Sequence, residues 1–215
     1  MTSATIMHHP SDTSLAAFAA GSLDEGRGLV VSTHLATCGV CREAVRAFEC
    51  LGGAALGDGE PMPLAANALE RALDAIVADG DATVLKKSDG HAAKPDDLLS
   101  AYSLGQWRWI APGLHWRSVD VPATDSTRVF MLKAVPGIRI PQHSHGGIEW
   151  TCILQGAFRH EFGIYRAGDF DEADESVEHQ PVVEDGVECI CLVAMQGNIR
   201  LKSWMGRLIQ PFVRI

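Results

Sequence analysis

The chain has 215 residues, enough for one large domain or two small ones. Hydrophobic residues make up 47% of it and charged residues 21%, a globular composition that excludes an intrinsically disordered chain. The 27 acidic and 18 basic residues give a net charge of −9. Direct binding to nucleic acid is therefore disfavoured, because a phosphate backbone is also anionic.

Two features of the sequence bear on its location. No apolar run approaches the roughly 18 residues that a membrane-spanning helix needs. Residues 1–10 carry neither a basic segment nor an apolar core, so we expect no secretion signal. We expect a cytoplasmic protein, in which the six cysteines do not form a disulfide framework.

The first predicted elements are helices, which cover residues 12 to about 80. A first helix is expected to stop at Gly21. Its apolar face comprises Leu15, Phe18 and Ala19. Ser22 and Glu25 have the spacing of a capping box, which predicts a second helix running toward His34.

Two further helices are predicted before residue 80. The third should end at Gly52-Gly53, and the residues on its apolar side are Val45, Phe48 and Leu51. The fourth is predicted over residues 64–79 because apolar residues recur there at helical spacing. They are Leu69, Ala72, Leu73, Ile76 and Val77.

The pattern then changes from helix to strand. The stretch up to residue 97 mixes Gly, Asp, Lys, Ser and Pro without apolar periodicity, which is typical of a linker. Beyond it, short β-rich runs separated by turn residues indicate a sandwich or barrel. The clearest runs are 107–110, 128–135, 149–155 and 187–195. We therefore predict a helical unit at 1–80, a linker at 81–97 and a β domain at 98–215.

A first set of metal-ligating residue types lies where the second helix should give way to the third. His34, Cys38 and Cys41 form a His-x3-Cys-x2-Cys pattern, in which the two thiolates can reach one ion across a helix-opening turn. Tetrahedral zinc needs a fourth ligand, for which His8 and His9 are both candidates. The alternatives are two core cysteines or a redox dithiol. We favour structural zinc, because so small a helical unit has a limited core.

A second set of such residues lies in the β half. His143 and His145 are two residues apart, so both can point to one face of a strand. After a glycine turn, Glu149 can enter the next strand facing the same interior. A third imidazole is required, and we favour His179 over His160, which lies between two charged residues and is expected to be solvated. This set suits zinc, iron or manganese, and the alternative is a polar strand face without an ion.

Residues 137–156 read Gly-x5-His-x-His-x3-Glu-x6-Gly and so resemble the first motif of the cupin superfamily at every position. The second cupin motif is met poorly, because the residues before Gly168 lack its proline and His179 lies further downstream than that motif places its histidine. The resemblance implies a cupin jelly-roll β-barrel, and with the predicted zinc-binding helical bundle before it we expect an α + β multidomain protein.

A helical zinc module followed by a cupin resembles the ChrR family of zinc-containing anti-sigma factors. The resemblance covers nearly the whole chain, from residues 8–12 to residues 210–215. It implies zinc at an amino-terminal site formed by His9, His34, Cys38 and Cys41. It also implies a cupin site for zinc, iron or manganese formed by His143, His145, Glu149 and His179.

The same resemblance implies a function. A ChrR-type protein is a cytoplasmic regulator, not an enzyme, that holds an extracytoplasmic-function sigma factor and releases it under singlet oxygen or related oxidative stress. The first 80 residues carry ten acidic and four basic residues, which suits a surface that covers basic faces of a partner and disfavours a DNA-binding repressor. The apolar stripe of the fourth helix follows a Pro-Met-Pro breaker, so it could stand apart and lie in a partner's groove.

Four cysteines lie outside the amino-terminal His-x3-Cys-x2-Cys pattern. Cys189 and Cys191 should share one strand face and pack in the core, as should Cys152 on another strand. Cys50 is expected to be a buried helix residue and not a ligand. All are candidate targets of oxidants.

The alternative function is a cupin dioxygenase or isomerase that uses an iron or manganese site with open positions.

Overall fold

The computed structural model describes residues 5–78, 94–122 and 127–201. Its helices are α1 Asp12–Ala19, α2 Glu25–Thr37, α3 Gly39–Gly57, α4 Ala68–Ala78 and α5 Pro95–Leu99. The strands that follow in the described residues are β1 Ser103–Leu104, β2 Arg108–Ala111, β3 Leu114–Asp120, β4 Arg128–Ala134, β5 His143–His145, β6 Glu149–Gln155, β7 Ala157–His160, β8 Gly163–Arg166, β9 Phe170–Ala173, β10 Glu178–His179, β11 Val182–Val183, β12 Cys189–Met195 and β13 Ile199–Leu201.

The strands form one large and two small sheets, and every pairing is antiparallel. The seven-stranded sheet has the order β1-β3-β4-β12-β6-β9, with β2 paired to β3, and the small sheets have the orders β10-β5-β13 and β11-β7-β8. Side chains from the large sheet and from β7, β8 and β11 share one core, which includes Phe130, Ile153, Phe158, Tyr165 and Val193. Helices followed by an antiparallel β domain confirm the predicted fold class. We call this β domain the barrel.

The helical unit and the large sheet share a second core. Leu29, Val30 and Val31 of α2 are buried together with Trp150 of β6 and Leu192 of β12. Helix α2 therefore lies against the face of the large sheet that points away from the barrel interior. Within the described ranges, no helix is both long enough and apolar enough to cross a bilayer.

Two predicted helix boundaries were wrong. The N-cap of α2 is Asp24, not Ser22, because the Asp24 carboxylate accepts a hydrogen bond from the Arg27 amide at 3.0 Å, next to the positive end of the helix dipole. Helix α3 continues through Gly52-Gly53 as far as Gly57. Each glycine costs only about 1 kcal/mol in a helix, and strong helix formers follow the pair.

The other boundaries lie closer to the predictions. Helix α4 begins at Ala68, four residues later than predicted. The four named β runs are confirmed as β2, β4, β6 and β12, with ends shifted by at most two residues. Most of the predicted linker lies outside the described residues, although α5 falls at its end. The three domain ranges remain predictions.

The contact between α2 and the sheet gives a first test. A Cβ atom at Gly26 would lie 2.8 Å from Val129 Cγ2 and 2.9 Å from Thr127 Cγ2, whereas one at Gly28 would meet no atom within 4 Å. We expect Gly26→Ala to lower the free energy of unfolding by about 1–3 kcal/mol through overpacking. Gly28→Ala in the same helix should raise it by up to about 1 kcal/mol. Urea denaturation measures both, and equal effects would contradict this packing.

Candidate metal centres

The structure brings His9, His34, Cys38 and Cys41 together, and one ligand atom of each lies within 4.8 Å of the others. We call these residues the helical metal group. His9 Nδ1 lies 3.4 Å from Cys38 Sγ and 3.3 Å from Cys41 Sγ, and His34 Nε2 lies 3.3 Å from Cys41 Sγ. Two imidazole nitrogens and two sulfurs thus converge on one point.

The junction of two helices positions three of these residues. Cys38 is both the C-cap of α2 and the N-cap of α3, so its extended backbone joins the two helices directly. His34 lies one helical turn before this junction and Cys41 lies in the first turn after it. The Cys41 amide donates to Cys38 Sγ at 3.5 Å, which turns both sulfurs to the same side.

The protonation pattern of the helical metal group fits a cation. His34 Nδ1 donates a hydrogen bond to the Gly168 carbonyl at 2.8 Å, so Nε2 keeps its lone pair and faces the sulfurs. Burial lowers the pKa of His34 to about 4, which keeps the ring neutral at pH 7. Burial also raises the pKa of Cys41 to about 12, so without a cation its thiol keeps its proton. A metal ion would displace that proton and satisfy all four ligand atoms.

The structure separates the two neighbouring histidines at the start of the chain. The ring of His9 faces the sulfurs of Cys38 and Cys41 in the helical metal group. The ring of His8 instead stacks on Tyr165 of β8, with the ring centroids 4.1 Å apart. The sequence left both His8 and His9 as candidates for the fourth ligand. Because His8 lies on the barrel, only His9 belongs to the helical metal group.

A buried carboxylate of the barrel fixes the segment that carries His9. Asp169 Oδ1 accepts hydrogen bonds from the amides of Met7 at 2.7 Å and His8 at 3.1 Å, and Oδ2 accepts one from Arg166 at 2.7 Å. The neighbouring Gly168 has a φ of 95°, and a Cβ there would lie 3.0 Å from Ile6. This turn of the barrel therefore holds both His9 and His34 in position.

Asp169 supplies a second test. Asp169→Ala would leave three amide groups without their acceptor, so we expect the free energy of unfolding to fall by about 2–4 kcal/mol. Amide exchange at Met7 and His8 should accelerate. The control is Asp174→Ala, since that exposed carboxylate accepts local hydrogen bonds from residues two or three positions later, including Ser176. Hydrogen exchange of both variants is the measurement, and unchanged protection in Asp169→Ala would contradict the role assigned to Asp169.

The second group lies inside the barrel and comprises His143, His145, Glu149 and His179, with ligand atoms within 4.8 Å of one another. We call it the barrel metal group. His143 and His145 point inward from β5, and His179 of β10 is the register partner of His143. His179 Nε2 lies 3.1 Å from His143 Nε2 and 3.2 Å from His145 Nε2. Glu149 Oε2 lies 3.4 Å from His145 Nδ1.

This group also fits a cation. His143 Nδ1 donates to the Pro141 carbonyl at 2.8 Å, so its Nε2 is unprotonated and faces His179. Burial lowers the pKa of His143, lowers that of His145 to about 4 and lowers that of His179 to about 3, so the rings are neutral at pH 7. Among the described residues, the buried Nδ1 atoms of His145 and His179 have no hydrogen-bond partner. A cation between the rings would bind the lone pairs that now face one another.

The predicted solvation of His160 was wrong. Its side chain is fully buried, its Nε2 donates to Asp171 Oδ2 at 3.1 Å, and its ring centroid lies 5.1 Å from that of His179. The charged neighbours misled the prediction because Arg159 lies on the opposite face of β7 and Glu161 lies in the turn after that strand. Strand alternation with Phe158 two residues earlier was the signal that could have placed His160 inside.

The remaining cysteines divide into two kinds. Cys152, Cys189 and Cys191 are buried, as predicted, and the sulfurs of Cys189 and Cys191 lie 3.6 Å apart. Burial raises the pKa of Cys152 to about 12, which disfavours its thiolate. Cys50 is exposed on α3, so its predicted burial was wrong. Each of these cysteines is free.

Comparisons with known proteins agree with this architecture. Residues 96–198 match the family model of the ChrR cupin-like domain, which confirms the predicted cupin-like β domain. The anti-sigma-E factor ChrR of Cereibacter sphaeroides is 37% identical over 216 residues, which is 98% of this chain and all of that protein.

A solved structure extends the likeness to three dimensions. A chain in the crystal structure of Rhodobacter sphaeroides SigE in complex with the anti-sigma ChrR matches with a TM-score of 0.73 and 34% identity. The match covers 89% of this chain and 100% of that one. Because both halves of the molecule take part, the chain belongs to the ChrR family of anti-sigma factors.

Proposed function

We propose that this protein is a cytoplasmic anti-sigma factor that sequesters an extracytoplasmic-function sigma factor. The observation that carries the proposal is an apolar stripe on α4 that belongs to neither hydrophobic core of the described part of the chain. None of the α4 residues is buried, and the exposed fractions are 73% at Leu69, 53% at Leu73, 65% at Ile76 and 79% at Val77. A contiguous apolar surface of this kind marks an interaction site, here one in helix-in-groove form.

Charge supports a basic partner surface. The first 80 residues contain ten acidic and four basic residues, a net charge of 4 − 10 = −6. Sigma factors act through faces that bind DNA and polymerase, and an acidic surface is complementary to basic faces of that kind. Direct contact with nucleic acid is not part of this function, because the same charge repels phosphate.

Each metal group takes its own part. We assign zinc to the helical metal group, where His9, His34, Cys38 and Cys41 would form a closed tetrahedral site that supplies a structural cross-link and no open position for catalysis. We assign zinc, iron or manganese to the barrel metal group, whose three imidazoles and one carboxylate suit all three ions.

The barrel is the part that would respond to oxidative stress of the singlet-oxygen type. It touches the helical metal group through the Gly168 carbonyl on His34 and through Asp169 on the segment before His9. A change of ligand or oxidation state inside the barrel would alter these contacts, provided that the bound and released states differ in stability. We expect His143→Ala in the full chain to retain sigma binding but to lose release under photogenerated singlet oxygen. Normal release by this variant would contradict the assignment.

A second candidate is a cupin dioxygenase or isomerase, which the cavity beside the barrel metal group favours. One experiment separates the two. The purified chain is added to a reconstituted transcription assay that contains RNA polymerase and the cognate sigma factor. We expect silencing of the sigma-dependent promoter, a stable one-to-one complex and two metal ions per chain. Transcription that continues unchanged, together with catalytic turnover of a small organic compound, would establish the enzyme instead.

A further inference from the structure

The barrel contains a cavity of about 230 Å³ that reaches the barrel metal group. Most of its walls are aliphatic, aromatic, proline or cysteine side chains from the three sheets and the segments between their strands. The polar exceptions are His143, Glu149, Thr151, Asp171 and His179. A cavity of this composition is suited to a mainly apolar small molecule, and neither the helical metal group nor the α4 stripe takes part in it.

The polar residues lie in one cluster on the wall of the cavity, and we call this part its polar end. His143, Glu149 and His179 belong to the barrel metal group. A carboxylate oxygen of Asp171 lies within 4.8 Å of a ring nitrogen of His179, in a further set that also includes His160. Thr151 is hydrogen-bonded to Glu149. A ligand would therefore meet polar atoms with one end and apolar walls along the rest of its length.

The charges at this end select the polar group of the ligand. Two carboxyl groups, Glu149 and Asp171, face the cavity, and only one of them is among the ligands of the barrel metal group. A divalent ion bound by three neutral imidazoles and the Glu149 carboxylate would leave the site with one net positive charge. The Asp171 carboxylate, which accepts a hydrogen bond from His160, would offset that charge. A second anion would be repelled. A neutral hydroxyl group can instead donate its proton to a carboxylate and offer its oxygen to the site.

The volume sets the length of the apolar part. An engineered apolar cavity of about 150 Å³ binds benzene, so about 25 Å³ corresponds to one non-hydrogen atom and this cavity accommodates about nine. We propose that the barrel binds a neutral aliphatic molecule of about eight carbons that carries one terminal hydroxyl group at the Asp171 end of the cavity. The inference does not rest on the anti-sigma function, since binding is measured on the chain alone.

Isothermal titration of the metal-loaded full chain with primary alcohols from butanol to dodecanol tests the proposal. Affinity should rise about fourfold for each added methylene until the cavity is full, and then fall beyond about octanol. Octanoate and octylammonium should bind at least roughly tenfold more weakly than octanol, because each carries a charge into a neutral site. Absence of saturable binding, equal binding of octanoate, or an affinity that still rises at dodecanol would each overturn the proposal.

Variants locate the binding in the barrel. Ala134 is buried and lines the cavity between its register partners Leu114 and Cys189. Ala134→Leu adds three carbons, so the preferred alcohol should shorten to about pentanol. If Ala134→Leu does not fold, Phe130→Leu enlarges the same cavity and should shift the preference to longer alcohols. Ala54→Leu, the same change at an exposed position of α3, should leave the preference at octanol. If neither cavity variant changed the preferred length of the alcohol, the assignment of the binding site to this cavity would be overturned.

The head-group assignment has its own variant. Asp171→Asn keeps the shape of the side chain but removes its charge. Octanoate binding should then strengthen roughly tenfold relative to octanol, because one repulsive charge at the polar end is gone. An unchanged ratio of the two affinities would show that Asp171 does not face the head group, and would overturn that part of the proposal.

Discussion

Replacement of Cys41 by alanine should empty the helical metal group and abolish sigma-factor binding. The Cys41 sulfur is buried and lies 3.3 Å from both His9 Nδ1 and His34 Nε2, so its loss removes the ligand that contacts both imidazoles. Structural zinc contributes about 10–16 kcal/mol to the folding of small zinc domains, far more than the packing of α1 to α3 can replace. We expect one metal ion per chain instead of two, reduced helix content, and sigma affinity lowered at least about 100-fold.

The same helix provides the matched control. Cys50 also lies on α3, but it is exposed and outside both metal groups. Cys50→Ala should keep two metal ions and change the free energy of unfolding by less than about 0.5 kcal/mol. Elemental analysis, circular dichroism and calorimetric titration with the sigma factor compare the two variants. If Cys41→Ala retained both metal ions, the two cysteines would not be metal ligands.

Local spacing was enough to predict most of the residues that the structure brings together in the two metal groups. His34, Cys38 and Cys41 meet because one helix ends and the next begins at Cys38, a geometry that three or four residues of sequence can specify. His143 and His145 share a face because side chains on a strand alternate. In both cases the contacts arise between near neighbours, so the pattern needs no knowledge of the rest of the fold.

Contacts between distant parts of the chain could not be predicted in this way. Nothing in the sequence around His34 indicates that its ring donates to the carbonyl of Gly168, 134 residues later. The distinction between His8 and His9 depends on where Asp169 holds their backbone. The carboxylate of Asp24, the N-cap of α2, also accepts a hydrogen bond at 3.0 Å from Thr127 of the barrel. Each of these features requires the helical unit to be docked on the barrel.

The docking of the helical unit on the barrel connects the part proposed to respond to oxidative stress, the barrel, with the part that carries the helical metal group. The aromatic rings of His8, Tyr165, His160 and His179 follow one another with centroid separations of 4.1, 4.7 and 5.1 Å. The first of these residues adjoins His9 of the helical metal group, and the last belongs to the barrel metal group. A shift of His179 would therefore be transmitted by direct packing to the segment that carries His9, without any contact to α4.

The stripe on α4 should tolerate charge in the free protein but not in the complex. We expect the double variant Leu73→Asp and Ile76→Asp to lower sigma affinity at least about 100-fold, because burial of a Leu or Ile side chain is worth about 1.5–3 kcal/mol and each new carboxylate would have to be desolvated. Metal content should remain at two ions per chain, since α4 contributes no buried residue.

The control carries the same added charge on the other side of the helix. Ala75→Asp with Ala78→Asp changes the net charge equally, but both positions face away from the line through Leu69, Leu73 and Ile76. Affinity should fall by less than about fivefold in this variant, because added charge at an interface rim affects mainly the association rate. Equal losses in the two variants would mean that charge, not the apolar stripe, governs binding. Loss of metal together with binding would instead identify α4 as part of the folded core, and the stripe would then have to be buried by residues of this same chain.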